Sequence, residues 1–125
     1  LKYLDKENCK RQEIAKLYRE KIQNEHIIIP DVKSGEETNV WHVFIIRTQY
    51  RDKLQSYLTN NNIQTLIHYP IPPHKQDAYK EWNRMSYPIT EAIHNEVLSL
   101  PMSPIMSDNE VIKVIDVINN FKCNF

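Results

Sequence analysis

The strongest constraint on this chain is a cluster of three prolines within residues 70–73, directly after a short apolar alternation. The alternation over 63–69 predicts a short strand, because every second side chain would lie on the same face. Proline lacks a backbone N–H and fixes φ, so neither a helix nor a central strand continues through the cluster. The sequence therefore predicts a rigid, extended turn that holds His68 and Tyr69 at one end and His74 at the other. Rigid turns on a packed scaffold often carry binding groups.

Length and charge exclude several classes of protein. The chain has 125 residues, which is the size of one domain, and Lys plus Arg balance Asp plus Glu at 16 each. A neutral chain has no electrostatic reason to bind nucleic acid or an anionic membrane. No apolar run approaches the roughly 18 residues that a membrane span needs. Gly35 is the only glycine, which excludes a P-loop and a Rossmann fingerprint.

Cysteine usage favours a cytoplasmic protein. Cys9 and Cys123 are the two cysteines, and they lie near opposite ends of the chain. A disulfide between them is possible, but free thiols in the cytoplasm are the favoured interpretation.

Apolar periodicity predicts an α+β fold: a small antiparallel-type sheet with helices packed on one face. The first half of the chain is predicted to form a helix over 1–24, an edge strand over 26–30, a solvent loop over 31–39, a central strand over 40–47 and a helix over 51–61. The central strand is predicted to be buried on both faces. The second half is predicted to form the strand over 63–69, helical turns over 76–83, a helix over 89–98, an extended run over 100–104 and a C-terminal helix after 107.

Short local signals set two of these helix ends. Asn60, Asn61 and Asn62 predict the end of the helix over 51–61, because Asn tolerates the left-handed conformation of a C-cap. Ser107 followed by Glu110 matches a capping box, which predicts the start of the last helix.

The two histidines beside the prolines are the main candidates for binding. A zinc site is disfavoured, since neither has a third ligand at a typical spacing. His68 and Tyr69 as hydrogen-bonding contacts to a ligand are more plausible, because both side chains can donate from a rigid turn. A structural His68 bonded to backbone is the alternative. His42, within the predicted central strand, is interpreted as a core histidine.

Four aromatic residues surround the turn. The favoured interpretation is that they pack the small core, and the alternative is that one or two line a ligand cleft. They are Tyr69, Tyr79, Trp82 and Tyr87. No Ser or Cys lies in a recognisable nucleophile turn, so the residues alone indicate a binding module without a complete catalytic set.

Several runs taken together resemble the C-terminal region of the DegT/DnrJ/StrS-type sugar aminotransferases, which are pyridoxal-phosphate (PLP) enzymes of fold type I. The start of the chain resembles the long helix that leads into that region. The runs that carry the resemblance are 1–5, 11–18, 41–47, 51–54, 65–74, 87–92 and 97–102.

The resemblance implies more than this chain contains. Enzymes of this kind transfer an amino group, typically from glutamate, to a keto sugar linked to a nucleotide, for lipopolysaccharide, surface-glycan or antibiotic sugar synthesis. Their PLP is held by a lysine before a glycine-rich stretch, and no residue here matches either. We therefore expect residues 1–25 to form an interdomain helix from a missing large domain. Residues 26–125 would form the small C-terminal domain, inactive alone.

The same resemblance implies roles for three residues. His68 and Tyr69 are expected to contact the nucleotide-sugar substrate, with His74 as a further candidate, in a parent enzyme that is a homodimer. Asn62 stands where many relatives carry glycine, and Asn can adopt the same conformation. The alternative is a stand-alone, non-catalytic α+β module for ligand binding or dimerisation.

Overall fold

The structure, a computed structural model, describes residues 2–32 and 39–123. Its elements in chain order are α1 (Leu4–Lys21), β1 (Phe44–Arg47), α2 (Arg51–Asn60), 3-10 helices at Pro73–Lys75 and Asp77–Trp82, α3 (Pro88–Glu96), β2 (Val97–Leu100) and α4 (Asp108–Asn120). The predicted helix start at Leu1 and the centre of the predicted loop, including Gly35, lie outside the described residues.

The sheet is antiparallel throughout. β1 and β2 pair with Phe44 opposite Leu100 and Arg47 opposite Val97. One isolated bridge extends each edge, from Ile28 to Arg47 on one side and from Leu66 to Ser99 on the other. Four chain segments therefore lie side by side: the segment at Ile28, then β1, then β2, then the segment at Leu66. This order confirms the predicted α+β fold with an antiparallel sheet.

Both outer strands were predicted too long. The segments 26–30 and 63–69 each contribute one bridge in place of a strand. Pro30 ends the first segment because it has no N–H to donate. Tyr69 ends the second, because its φ of 58° turns the chain out of the extended region immediately before Pro70.

The central strand is shorter than predicted and is fully buried on one face only. Phe44 and Ile46 are buried, whereas Ile45 and Arg47 are half-buried. The prediction of burial on both faces was therefore wrong, and so was the core role of His42, which is exposed. The reason is local: Trp41 has a φ of 47°, which diverts the chain just before the strand begins.

β2 was missed because its sequence fits two periodicities. The apolar positions continue from α3 and predicted a helix to residue 98, but α3 ends at Glu96 and Val97–Leu100 is extended. A short apolar run is ambiguous between helix and strand. Here pairing with β1 decides the outcome, since tertiary context overrides weak local propensity.

α1 confirms the predicted first helix. Only its second half is packed, through Ile14, Ala15 and Tyr18. The first half is polar, and Arg11 forms an ion pair with Glu7 at 4.0 Å. The Tyr18 hydroxyl donates to the Pro101 carbonyl at 2.9 Å, and burial raises the pKa of this hydroxyl.

The two predicted helix ends are also confirmed. Asn62 adopts the left-handed conformation with φ 59° after α2, and the Ile63 N–H closes the turn on the Leu58 carbonyl at 2.9 Å. At α4 the Ser107 hydroxyl accepts from the Glu110 N–H at 3.3 Å, and the Ser107 N–H donates to the Glu110 carboxylate at 2.8 Å. The hydrogen bonds from Ser107 lower the pKa of Glu110.

One core joins the sheet to the helices. Tyr18 meets Phe44 edge-on at 5.1 Å between ring centroids, and Trp41 lies 5.4 Å from the same ring. α2 contributes Leu54 and Leu58. The apolar face of α4 and Phe121, which follows the helix, are buried in the same cluster. The residues of that face are Val111, Val114, Ile115 and Ile118.

Candidate functional site

His68 lies on the segment beside β2, with its ring held by a residue of that strand. Its Nδ1 is 2.7 Å from the Oγ of Ser99, which is buried. The backbone of Ser99 also bonds to Leu66 in both directions, at 2.8 and 3.2 Å. Within the described part of the chain, Nε2 of His68 has no hydrogen bond. The ring is therefore oriented by one nitrogen and can donate to, or accept from, a ligand with the other.

Tyr69 turns outward through a strained backbone. Its side chain is 76% exposed, and its φ of 58° costs a residue with a Cβ about 1–2 kcal/mol. Its backbone carbonyl accepts a hydrogen bond from Nδ1 of His94. A carbonyl oxygen cannot donate, so Nδ1 of His94 must carry the proton. Strained conformations of this kind persist where surrounding contacts hold them, and they concentrate at functional sites.

His74 has entirely different surroundings. It is 4% exposed, its Nε2 lies 2.8 Å from Oε1 of Glu91, and the Tyr87 ring meets it edge-on at 4.9 Å. Glu91 also accepts from the Tyr87 N–H at 3.1 Å, and Lys75 Nζ lies 3.9 Å away. The hydrogen bond from His74, the Tyr87 N–H and the Lys75 charge together lower the pKa of Glu91.

The structure thus separates the three predicted residues into two groups. His68 and Tyr69 lie on the accessible side of the proline turn, whereas His74 links the turn to α3. Sequence reasoning did not find the residues that hold them, namely Ser99, His94 and Glu91. No spacing signal was available, since these partners lie 31, 25 and 17 residues along the chain.

An open groove of about 440 Å³ runs beside His68. It combines polar and apolar side chains, as small-molecule sites commonly do. Its lining consists of His42, Val43, Gln64, Thr65, Leu66, His68, Ser99, Leu100, Pro101 and Met102.

The aromatic residues after the turn do not pack the core as predicted. Tyr79 and Trp82 stack on each other, with ring centroids 4.8 Å apart and planes 8° from parallel. They are 40% and 42% exposed, and Tyr87 is 49% exposed. Tyr79 and Trp82 lie on the 3-10 helix Asp77–Trp82, and Tyr87 directly precedes α3. The predicted helical turns are therefore confirmed, but the predicted burial of these side chains is not.

Two other kinds of site are absent from the described residues. They contain no group of three His, Cys, Asp or Glu side chains that could hold a metal ion. None of their helices combines the length and apolarity needed to span a membrane. Cys9 and Cys123 are free thiols, as favoured from the sequence.

The surroundings of the described lysines differ from those that PLP requires. A Schiff-base lysine is activated by burial or by a neighbouring cation, yet each described lysine is exposed or half-buried. Lys10 is held by Asp108 at 2.9 Å, which raises its pKa and so opposes the neutral amine. None of the described lysines therefore has the surroundings of a Schiff-base lysine.

Comparison with known proteins gives one consistent family. Residues 1–119 match the DegT/DnrJ/EryC1/StrS aminotransferase family. The chain is 52% identical over 121 residues to the dTDP-3-amino-3,6-dideoxy-alpha-D-galactopyranose transaminase of Aneurinibacillus thermoaerophilus. The aligned region covers 97% of this chain and 33% of that enzyme.

Solved structures agree with the sequence match. DesV of S. venezuelae superposes with a TM-score of 0.85 at 34% identity, over 95% of this chain and 33% of DesV. NtdA of Bacillus subtilis, solved with bound cofactor PMP, gives 0.83 at 28% identity, over 94% of this chain and 28% of NtdA. The chain therefore spans about one third of the length of the proteins that it matches.

Proposed function

Because this chain belongs to the DegT/DnrJ/EryC1/StrS aminotransferase family, we propose that it supplies the substrate-contacting C-terminal region of a sugar aminotransferase. The resemblance and the fold predicted from sequence are both confirmed by the comparisons. The family is PLP-dependent. The proposed reaction moves an amino group, from glutamate as donor, to the keto carbon of a nucleotide-linked sugar for lipopolysaccharide or other surface-glycan synthesis.

The observation that carries this proposal is the presentation of His68 and Tyr69. Ser99 fixes one nitrogen of the His68 imidazole and leaves the other without a partner among the described residues. The left-handed backbone at Tyr69 exposes its phenol. Two hydrogen-bonding groups on a proline-stiffened turn can hold a sugar nucleotide in one orientation, and orientation is a major part of catalysis between two bound reactants.

His74 takes a different role in the proposal. Its burial and its bond to Glu91 favour a positioning residue that ties the proline turn to α3. A direct contact of His74 with substrate stays a prediction.

The remaining parts of the enzyme lie outside this chain in the proposal. A larger domain would carry the PLP lysine, so the 125-residue chain alone would be inactive, and residues 1–25 would connect the two domains ahead of the small domain at 26–125. The parent enzyme would be a cytoplasmic homodimer that takes a nucleotide sugar and an amino donor, with no nucleic-acid or membrane partner.

A chimera tests the proposal. This chain replaces the matching third of the A. thermoaerophilus transaminase, to which it is 52% identical. We expect an active enzyme in which His68→Ala raises KM for the nucleotide sugar about tenfold, the effect of losing one hydrogen bond of about 1.4 kcal/mol, with little change in KM for glutamate. His26→Ala, remote in sequence from the turn, is the matched control.

Two outcomes would count against the proposal. Equal increases in both KM values would make His68 a structural residue. A chimera that folds and binds cofactor but transfers no amino group would favour the alternative, a non-catalytic module for ligand binding or dimerisation.

A further inference from the structure

Two residues with strained backbones adjoin the two histidines of the groove. Trp41, at φ 47°, precedes His42, and Tyr69, at φ 58°, follows His68. Both histidines line the same cavity, although 26 positions separate them in the sequence. Left-handed conformations are unfavourable for aromatic residues, persist where surrounding contacts hold them, and are concentrated at functional sites. The strain at Trp41 therefore points to His42, which the sequence had placed in the core.

Three polar groups of the groove have no protein partner within the described residues. His42 is exposed and makes no hydrogen bond with the described residues. The Nε2 atom of His68 likewise makes no hydrogen bond with them. The Oγ1 atom of Thr65 is buried, yet it too has no hydrogen-bond partner. An unsatisfied buried hydroxyl costs about 1–3 kcal/mol, so this atom favours a ligand or water that can complete its bonding.

The composition of the groove selects the chemistry of that ligand. Its lining contains no lysine, arginine, aspartate or glutamate. Phosphate groups are normally held by arginine, lysine or a helix N-terminus, so this surface is unsuited to a diphosphate. The same groove presents apolar surface from Leu66, Leu100 and Met102, which suits the apolar face of a ring whose edges carry hydroxyl or amide groups.

We propose that His42 is a ligand-contact residue that, together with His68 and Thr65, binds an uncharged, hydroxyl-bearing ring of the substrate. The inference rests on the proposed function, which identifies the ligand as a nucleotide-linked sugar. Such a ligand contains two uncharged, hydroxyl-bearing parts, a deoxyhexose and a nucleoside. The charged diphosphate between them would lie outside this groove, in contact with other residues.

Imidazole signals in the 125-residue chain test this assignment directly. Labelled histidine side chains are followed by NMR during titration with D-fucose, a 6-deoxyhexose, and separately with thymidine. We expect one of the two probes to shift the ring signals of His42 and His68 together, with a Kd on the order of millimolar, as suits a small fragment. The probe that acts identifies the ring. Inorganic pyrophosphate should leave both signals unchanged.

Variants of His42 separate hydrogen bonding from shape. His42→Phe keeps a planar ring but cannot hydrogen-bond, and it should weaken binding of the active probe about fivefold, equivalent to roughly 1 kcal/mol. His42→Gln keeps a donor and an acceptor and should stay within about twofold of the parent. His26→Gln is the control and should change nothing. Circular dichroism checks that each variant is folded.

The inference is overturned if neither uncharged probe shifts the two rings, if pyrophosphate binds best, or if His42→Phe binds as well as the parent. These failures are distinct from failure of the proposed function. In the chimera, His68→Ala would still raise KM for the nucleotide sugar while His42→Phe left it unchanged.

Discussion

The helical core and the segment 69–89 are built on opposite principles. In the core, the second half of α1, the inner sheet face, α2 and α4 enclose side chains that are almost fully buried. In the segment, His74 alone is classed as buried, and large apolar side chains face outward. Those exposed side chains are Tyr69, Ile71, Tyr79, Trp82, Met85, Tyr87 and Ile89.

Polar links hold the segment in place of apolar burial. Lys75 Nζ donates to the carbonyls of Asn83 at 2.9 Å and Met85 at 3.0 Å, and His74 binds Glu91 of α3. The core therefore has the contacts to be stable by itself. The segment presents an apolar surface larger than isolated exposed residues would give, and such surfaces usually contact other protein or a ligand. The first region is organised for stability, whereas the second exposes apolar surface of the kind that contacts other molecules.

The largest effect is expected in the core. Phe44→Ala removes a fully buried ring that contacts Tyr18 and Trp41, so the free energy of unfolding should fall by about 3–5 kcal/mol in urea titrations. Ile112→Ala, at a position on α4 that is 51% exposed, should change it by less than about 0.5 kcal/mol. A loss below about 1 kcal/mol for Phe44→Ala would show that the core does not carry the stability.

An intermediate, local effect is expected when Glu91 is protonated. The folded-state pKa of Glu91 lies below the ordinary 4.5. The stability that ionised Glu91 contributes is therefore fully present above pH 4.5 and is lost as pH falls through the folded-state pKa. The segment should therefore loosen at lower pH while the core stays folded. Fluorescence can separate the two regions, since Trp82 lies in the segment and Trp41 in the core; the variants Trp41→Phe and Trp82→Phe isolate each signal.

Glu91→Gln supplies the matched control for that titration. The amide can still bond to His74 but cannot titrate in this range, so the acid transition of Trp82 should disappear. Simultaneous changes at Trp41 and Trp82 would contradict the separation into two regions.

The smallest effect on stability is expected from Trp82→Ala. The ring is 42% exposed, and among the described residues Tyr79 is its one aromatic contact. The free energy of unfolding should therefore fall by about 0.5–1 kcal/mol. Self-association measured by sedimentation should decrease, because exposed apolar surface is removed. A loss above about 2 kcal/mol would place Trp82 in the core and remove the contrast between the regions.

The accuracy of the sequence predictions followed the range of the interactions. The left-handed residue Asn62 after α2 and the capping box at Ser107 were predicted correctly, because both depend on residues within one helical turn. The strand β2 was missed, since Val97–Leu100 becomes extended only when β1 is beside it. His42 was misplaced, because a positive φ at Trp41 is unfavourable for any aromatic residue and gives no signal in the sequence.

The sequence by itself determined the family, the antiparallel α+β fold, the helical caps and the proline-stiffened turn with its three candidate residues. The family follows from the resemblance of several sequence runs. The other features follow from local backbone chemistry and apolar periodicity, which are properties of neighbouring residues. Only the tertiary structure decided that His68 is oriented by Ser99, that His74 is buried against Glu91 and that His42 shares the groove. Those relations join residues 17 to 31 positions apart, and only the folding of the whole chain brings them together.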